Sequence, residues 1–464
     1  MQVLDLLDFV ELGLPSASAP PPLNYFKDCN LLAFQKEQVG GVLTFDIDLV
    51  AQLLDVKRNE LLQDESLNDK VPAMNKEKKQ VLEHLFWQNQ LRLCRYTQLA
   101  CLSSWATLVA VMLEDCDMHG IQKTSFVLQA LQAILPKLEA YSMEDVESAL
   151  HLSSLANTLV SHINFDSSTL GSGRSSDLAN DRLYQLFRVS LRCVQSPVGN
   201  ARLREDFYSI CLRYLNGMAL IEKDPEARRY NTKSIKASGE KLLEVICNDA
   251  YSGEGQCKVI SLLLLESLAA LAAKDNSTYV IDGLSKQNFL VVLIDSIRTI
   301  IGDLQNTPLE GFPSVIKAFK AATGFLQRVS QTRYGAGQVL SAGLFQALRE
   351  CQLFSVDPDL GFGFNDPSSL QMYYDMLLDI MRVVATCVLS RGAQNKQTID
   401  QLRAFLSEYR NIAVAVFKRN AGIGGKAEDS VGDLKQLADI FVLLFTVTDF
   451  VEVSFPSLRS ANHR

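Results

Sequence analysis

The sequence predicts an all-α chain, an α-solenoid of HEAT/armadillo-like helical repeats. Three observations point there. Apolar residues recur at threes and fours through most of the 464 residues. No run of period-two alternation bounded by hairpin turns stands out. One phrase, helix then small-residue break then helix, is written twice between Tyr279 and Phe354. In Tyr279-Val-Ile-Asp-Gly283 a short apolar turn stops at the glycine, and a new apolar run starts at Phe289. In residues 337–354 a helix end meets Ala342-Gly343, and Leu344, Phe345, Leu348 and Leu353 follow. Stacked helical hairpins read this way because each unit hides part of its apolar surface and leaves the rest to its neighbours.

Composition narrows the function classes. A hydrophobic fraction of 47% supports a continuous core and excludes global disorder. Asp and Glu number 53 against 45 Lys and Arg, a net charge of −8, and no basic stripe is concentrated anywhere. General binding to a phosphate backbone needs clustered Lys and Arg, so no direct nucleic-acid partner is expected. The ten cysteines are dispersed, have mostly apolar neighbours and form no CxxC pair. They read as buried packing residues of a reducing compartment, cytosol or nucleus.

Taken in order, residues 1–14 form an amphipathic helix rather than a signal peptide, because Asp5, Asp8 and Glu11 interrupt its apolar run and no basic segment precedes it. The Pro-rich stretch 15–22 ends that helix and enforces an extended connector. A helical pattern at 44–62 dissolves into the polar tract 63–79, read as a surface loop. Residues 80–113 make one long helix or a kinked pair, with Leu82, Leu85, Phe86, Leu102 and Trp105 in phase. Helices follow at 128–138 and 143–163, the second with Ser142 as its expected N-cap. Residues 166–181, crowded with Ser and Gly, read as a disordered loop.

Helical patterns resume at 182–194, 202–222, 240–250 and 257–273. The last is apolar on nearly every side and is expected in the middle of a stack. Its densest run, 259–265, is broken by Ser261 and ended by Glu266, short of the roughly 20 residues a membrane span needs. No transmembrane segment is expected. After the doubled phrase come a loop at 357–367, helices at 370–389 and 398–418, a glycine-rich loop at 421–432 and a helix at 434–447. The expected organisation is an N-terminal helical section 1–165, the loop 166–181, a continuing solenoid 182–450 and an irregular tail 451–464.

No catalytic, cofactor or metal site emerges. Gly422-Ile-Gly-Gly-Lys-Ala427 resembles a phosphate loop but has Asn420 where Gly is needed, Ala427 where Ser or Thr is needed, and no preceding strand. The histidines, His84, His119, His151, His162 and His463, lack metal-ligand spacing. No short stretch brings Cys, His and Asp together as a nucleophile with its base. An enzyme is not expected, and neither is a cofactor.

The final helix carries the candidate site. Leu434, Leu437, Phe441 and Leu444 mark one face, Ile440 and Leu443 another, with Phe445 between them. One reading is ordinary packing. The other is that the last helix of an array leaves apolar surface for a partner, which singles out Ile440, Phe441, Leu444 and Phe445 as a partner-binding or assembly surface.

Several segments in register carry a family resemblance. Residues 1–9 (MQVLDLLDF), 103–109 with Trp105, Glu244-Val-Ile-Cys-Asn-Asp-Ala250 and above all Ala342-Gly-Leu-Phe-Gln-Ala-Leu-Arg-Glu-Cys-Gln-Leu-Phe354 resemble the large α-helical scaffold nucleoporins of the nuclear pore inner ring. That resemblance implies a superhelical scaffold at the nuclear envelope. It also implies other nucleoporins as partners, especially linker nucleoporins held through short helical segments. Members of that family are several times longer, and the chain resembles a section of their C-terminal half. No partner-binding residue is carried over to a numbered position. A different helical-repeat adaptor, such as a transport receptor or trafficking scaffold, is the alternative.

Overall fold

A computed structural model describes residues 2–10, 19–38, 40–118, 120–165, 174–196, 199–221, 225–355, 367–421 and 431–450. Of the expected connector and loops, the parts 15–18, 166–173, 357–366 and 422–430 lie outside the described residues, as does the tail at 451–464. So do His119, His463 and the phosphate-loop look-alike. The chain divides into two compact units, Met1–His119 with Glu147–Thr158, and Gly120–Val146 with Leu159–Arg464.

In the first unit, helix α1 (Gln2–Val10) buries Leu7. Two three-residue strands follow, β1 (Gln35–Glu37) and β2 (Leu43–Phe45), paired antiparallel with Gln35 opposite Phe45. This hairpin is an exception to the all-α expectation. Its turn uses Gly40 and Gly41, at φ 83° and 76°, and a Cβ on Gly40 would lie 2.3 Å from the Tyr96 ring. Only glycine satisfies both the left-handed backbone and that approach. Helix α2 (Ile47–Leu61) starts at Asp46, whose Oδ1 accepts from the Leu49 N–H at 3.1 Å.

Helix α3 (Val71–Asp115) is a single helix of 45 residues, so most of the polar tract 63–79 is not a loop. Residues 65–70 form a 3-10 turn, Pro72 sits in the first helical turn, where its missing N–H costs nothing, and the Lys- and Glu-rich stretch after it consists of good helix formers. One stripe of α3, Met74, Glu77, Val81, Leu85 and Asn89, is buried. Its apolar members pack with Phe26, Phe45, Val50 and Leu54. Its polar members capture backbone. Glu77 Oε1 accepts from the N–H groups of Asn24, Tyr25 and Phe26 at 2.9, 3.0 and 3.2 Å. Asn89 accepts from the Phe45 N–H at 2.7 Å and donates to the Phe45 carbonyl at 2.8 Å, extending the pairing of β2 onto a helix. Trp105 Nε1 donates to the Val3 carbonyl at 2.7 Å and ties α1 to the same post.

Ser142 is not a helix cap. It lies near the end of α4 (Gly120–Glu144) and donates to the Leu138 carbonyl at 2.6 Å, while α5 (Val146–Ser161) begins after Asp145. A serine hydroxyl that reaches back one turn continues a helix instead of starting one. Residues 174–181, expected in a loop, already belong to α6 (Arg174–Val194).

The second unit continues through α7 (Ala201–Ile221), α8 (Pro225–Ala237), α9 (Gly239–Ser252) and α10 (Gly255–Lys274). Next come α11 (Tyr279–Lys286), α12 (Phe289–Asn306) and α13 (Phe312–Ser330). Then follow α14 (Arg333–Ser341), α15 (Leu344–Glu350) and α16 (Pro367–Arg391). The last described helices are α17 (Lys396–Glu408), α18 (Arg410–Asn420) and α19 (Val431–Thr448). Every third helix packs on the next third, in the ladder α7, α10, α13, α16, α19, and a second row places α12 against α9 and α15. Three helices per repeat, each repeat touching its neighbours, is armadillo-like grammar.

Polar bonds between helices follow the same period. Ser267 to Asn216, Tyr334 to Asp282, Ser285 to Gln338, Cys351 to the Ile297 carbonyl and Cys387 to Ser330 join residues 51 to 57 positions apart. Two buried thiols thus act as contacts between repeats, and burial pushes the Cys387 thiol up to about 12. Cys94, Cys101 and Cys116, however, are exposed, against the expectation of general burial.

The corner between the first and second helix of a repeat is left-handed three times, at Gly239, Asn288 and Gly343, with φ 75°, 53° and 94°. Gly283 is therefore not the break. It lies inside α11, where a Cβ would meet Leu243 Cδ1 at 2.4 Å, and Asn288 makes the turn. At Gly343 nothing lies within 4 Å of the missing Cβ, so the demand there is purely conformational. Gly343→Ala is expected to cost about 1–2 kcal/mol, seen as a lower thermal midpoint, while Asn288→Gly is expected to be neutral or slightly stabilising.

Helix α10 sits mid-stack as expected, between α7, α9 and α13, with Leu262, Leu264, Leu265 and Leu268 fully buried. By length and composition α10 and the segment Leu67–Asp115 are both long and apolar enough to cross a bilayer, which the sequence reading did not anticipate. In α10 the packing of the second unit consumes that apolar surface.

Candidate protein-binding surfaces

The four residues singled out on α19 do not form one exposed face. Phe441 and Leu444 are buried where α19 packs on α16, α17 and α18. Phe441 meets the Phe417 ring of α18 edge-on, with centroids 6.4 Å apart. Ile440 and Phe445 are half-buried, and Phe445 stacks on Phe450 at 5.2 Å. Beside them Val442 is 53% exposed. Packing accounts for the first pair, and only the second pair borders open surface. On the first unit, Phe86 and Trp87 of α3 are also exposed, in edge contact at 6.1 Å.

The larger concavity is a groove of 770 Å³ in the second unit, where α12 runs between the end of α9, the start of α10 and α15. Val291, 50% exposed, and Tyr251, 63% exposed, give it apolar and aromatic lining. Ala342, Gly343 and Ala347, small or without a side chain, form one wall together with Gln346. Along the rim Arg298 Nε donates to Asp295 Oδ1 at 2.7 Å, and Arg298 Nη1 approaches Glu350 at 3.4 Å. The bond to Asp295 holds the guanidinium above its usual range. An apolar floor with a paired polar rim suits a protein segment.

Behind the groove a polar network fixes α9. Arg204 of α7 donates to both oxygens of Asp249, from Nε to Oδ2 at 2.6 Å and from Nη2 to Oδ1 at 2.8 Å. Tyr208 OH adds a third donor to Oδ2 at 2.8 Å. Asp249 is buried and the Arg204 side chain only 16% exposed, so this is a bidentate pair held largely away from water. Burial, with Asp249 beside it, pushes the Tyr208 phenol well above its usual range and keeps it a donor. Asp249 lies two residues before Tyr251, so the network positions the groove's aromatic wall.

None of these groups pairs a nucleophile with a base. Among the described residues no three His, Cys, Asp or Glu side chains converge as metal ligands. The groove was not singled out from sequence because its lining comes from four helices spread over about a hundred positions. One signal was present. The segment with the strongest family resemblance, Ala342 to Phe354, supplies its small-residue wall.

Residues 1–448 match the profile of a family described as the nuclear pore complex scaffold, nucleoporins 186/192/205. The chain belongs to this family. It is 30% identical over 541 aligned positions to nucleoporin NUP192 of Chaetomium thermophilum, covering 100% of the chain and 31% of that relative. It is 22% identical to the nuclear pore complex protein Nup205 of Homo sapiens, covering 94% of the chain and 25% of the relative. The chain therefore spans about a third or less of the length of these scaffold nucleoporins. The described residues are mostly helical, and the family's description is that of a pore scaffold component rather than a transport receptor.

Proposed function

We propose that the chain serves as a non-enzymatic load-carrying section of the nuclear pore scaffold at the nuclear envelope, holding other nucleoporins, above all linker nucleoporins of the inner ring. The observation that supports this most is the 770 Å³ groove along α12, where an amphipathic helix can set an apolar ridge against Val291 and Tyr251 and its polar flanks against the paired Asp295, Arg298 and Glu350. In this reading α3 and α10 are post and core of the scaffold rather than membrane spans. Ile440 and Phe445 of α19, with Val442, form a second, smaller surface for assembly.

Affinity capture of inner-ring linker nucleoporins on the purified chain tests this. Val291→Glu puts a carboxylate on the groove floor and is expected to weaken capture about tenfold or more, with helix content unchanged, since a desolvated unpaired charge at an interface centre costs a few kcal/mol. Ile440→Asp is expected to leave groove capture intact. Capture by the Val291 variant equal to that of the wild type would move the site elsewhere.

A further inference from the structure

We propose that a second pocket, between α6 and α8, binds an acidic peptide segment carrying two or three Asp or Glu side chains close together. The pocket has a volume of 650 Å³, and three cations line it: Arg188 and Arg192 from α6, and Lys233 from α8. No Asp or Glu lines it. In a chain of net charge −8 such a concentration of one sign is a local departure, invisible along the sequence because its members stand 41 and 45 positions apart. It belongs to a different part of the second unit from the α12 groove. The inference rests on reading the chain as a holder of protein segments, but not on the groove.

Two of the three cations, Arg188 and Arg192, are placed before any ligand arrives. Tyr184 OH lies 2.7 Å from Ser234 Oγ and joins the two helices across the pocket. The Arg188 guanidinium rests over the Tyr184 ring, 5.9 Å from its centroid. Arg192 is partly neutralised, with Nη2 2.8 Å from Glu139 Oε1, so it lends its remaining N–H groups to the site rather than a full charge. Among the described residues no carboxylate pairs with Arg188 or Lys233. Tyr230, 59% exposed, adds an aromatic wall that suits the aliphatic stems of Glu side chains. Guanidinium forks fixed on helices recognise carboxylates with little ordering cost.

An acidic peptide fits better than nucleic acid. A phosphate backbone needs a stripe of cations along its track, and here they form one cluster on an otherwise acidic chain. A short run of carboxylates meets the cluster and then ends.

The test is fluorescence anisotropy of the full chain with a labelled dodecapeptide of Glu, Asp and Ala, against the same peptide with every Glu and Asp replaced by Gln and Asn. The acidic probe is expected to bind, to weaken with salt, and to lose about tenfold or more in affinity in the Arg188→Glu/Lys233→Glu double variant. Circular dichroism checks that the variant stays folded, and the Arg188→Gln/Lys233→Gln variant, with no added carboxylate, is expected to show a smaller loss in the same direction. Lys396→Glu, an exposed charge reversal on α17, is expected to leave the affinity unchanged. Equal binding of the amide probe, or an equal loss with Lys396→Glu, would overturn the proposal. So would a single-stranded oligouridylate that binds more tightly and loses affinity in the same double variant. If the acidic probe fails to bind while nucleoporin capture persists, the pocket falls and the scaffold reading stands. If capture fails while the probe still binds and depends on Arg188 and Lys233, the pocket stands alone.

Discussion

Asp249→Ala is expected to destabilise the second unit by about 3–5 kcal/mol, read as a lower midpoint in urea, because it strands a charged guanidinium inside the protein. In the native chain Asp249 accepts three bonds, two from Arg204 and one from Tyr208. Arg204 and Asp249 keep only 16% and 11% of their side-chain surface in contact with solvent. Removing the carboxylate leaves donors that water reaches poorly, and an unmet buried charge costs more than the pair ever contributed. The same argument fixes two controls. Asp249→Asn keeps an acceptor and is expected to cost less. The double variant Arg204→Met/Asp249→Leu removes both charges and is expected to recover most of the loss, since an apolar pair of similar volume often matches a buried ion pair. A double variant as unstable as Asp249→Ala alone would mean that Tyr208 and the packing of α7 on α9, rather than the ion pair, hold this joint.

That joint also shows what the sequence made legible. Along α9 the buried stripe runs Leu242, Leu243, Ile246, Asp249, Ala250, so a carboxylate falls in phase with apolar residues. Along α3 Glu77 and Asn89 fall in phase with Met74, Val81 and Leu85 in the same way. A polar residue on the wet side of a helix breaks the period, whereas one that keeps it must find a partner inside. Read with that rule, all three carried a signal. Their partners carried none, because the Phe45 amide and Arg204 sit 44 and 45 positions away.

Helices were legible where a 3.6-residue period is strong, as in α9, α12 and α13, and the solenoid followed from the doubled break before Phe289 and Leu344. The hairpin was not legible, since strands of three residues are too short to show alternation. Nor was the start of α3, because a polar tract reads as a loop by apolar spacing alone although Lys, Glu and Gln are strong helix formers. On α19 the four residues named from sequence fall on two faces, Phe441 and Leu444 buried, Ile440 and Phe445 half-buried, a division that depends on the neighbouring helices α16, α17 and α18. The basic pocket was missed for the opposite reason, a charge count over the whole chain that averaged away a cluster made by two helices.

Phe325→Ala is expected to carry the other large effect, about 3–5 kcal/mol, because the ring is fully buried and a cavity replaces it. Phe325 stands on α13 and meets Phe289, the first residue of α12, edge-on with centroids 6.1 Å apart. Its helix packs on α10 before it and α16 after it, so the cavity opens at a joint of the ladder. In a repeat array the stability of each joint is nearly its own, and a loss at one is passed only to its neighbours. Hydrogen exchange read by mass spectrometry should therefore show protection falling in α10, α13 and α16, with α2 and α3 unchanged. Phe325→Leu, which leaves a smaller void, should show the same pattern at a fraction of the cost. Protection lost evenly over the whole second unit would mean that its helices melt together, and that the row of repeats behaves as one cooperative body rather than as linked joints.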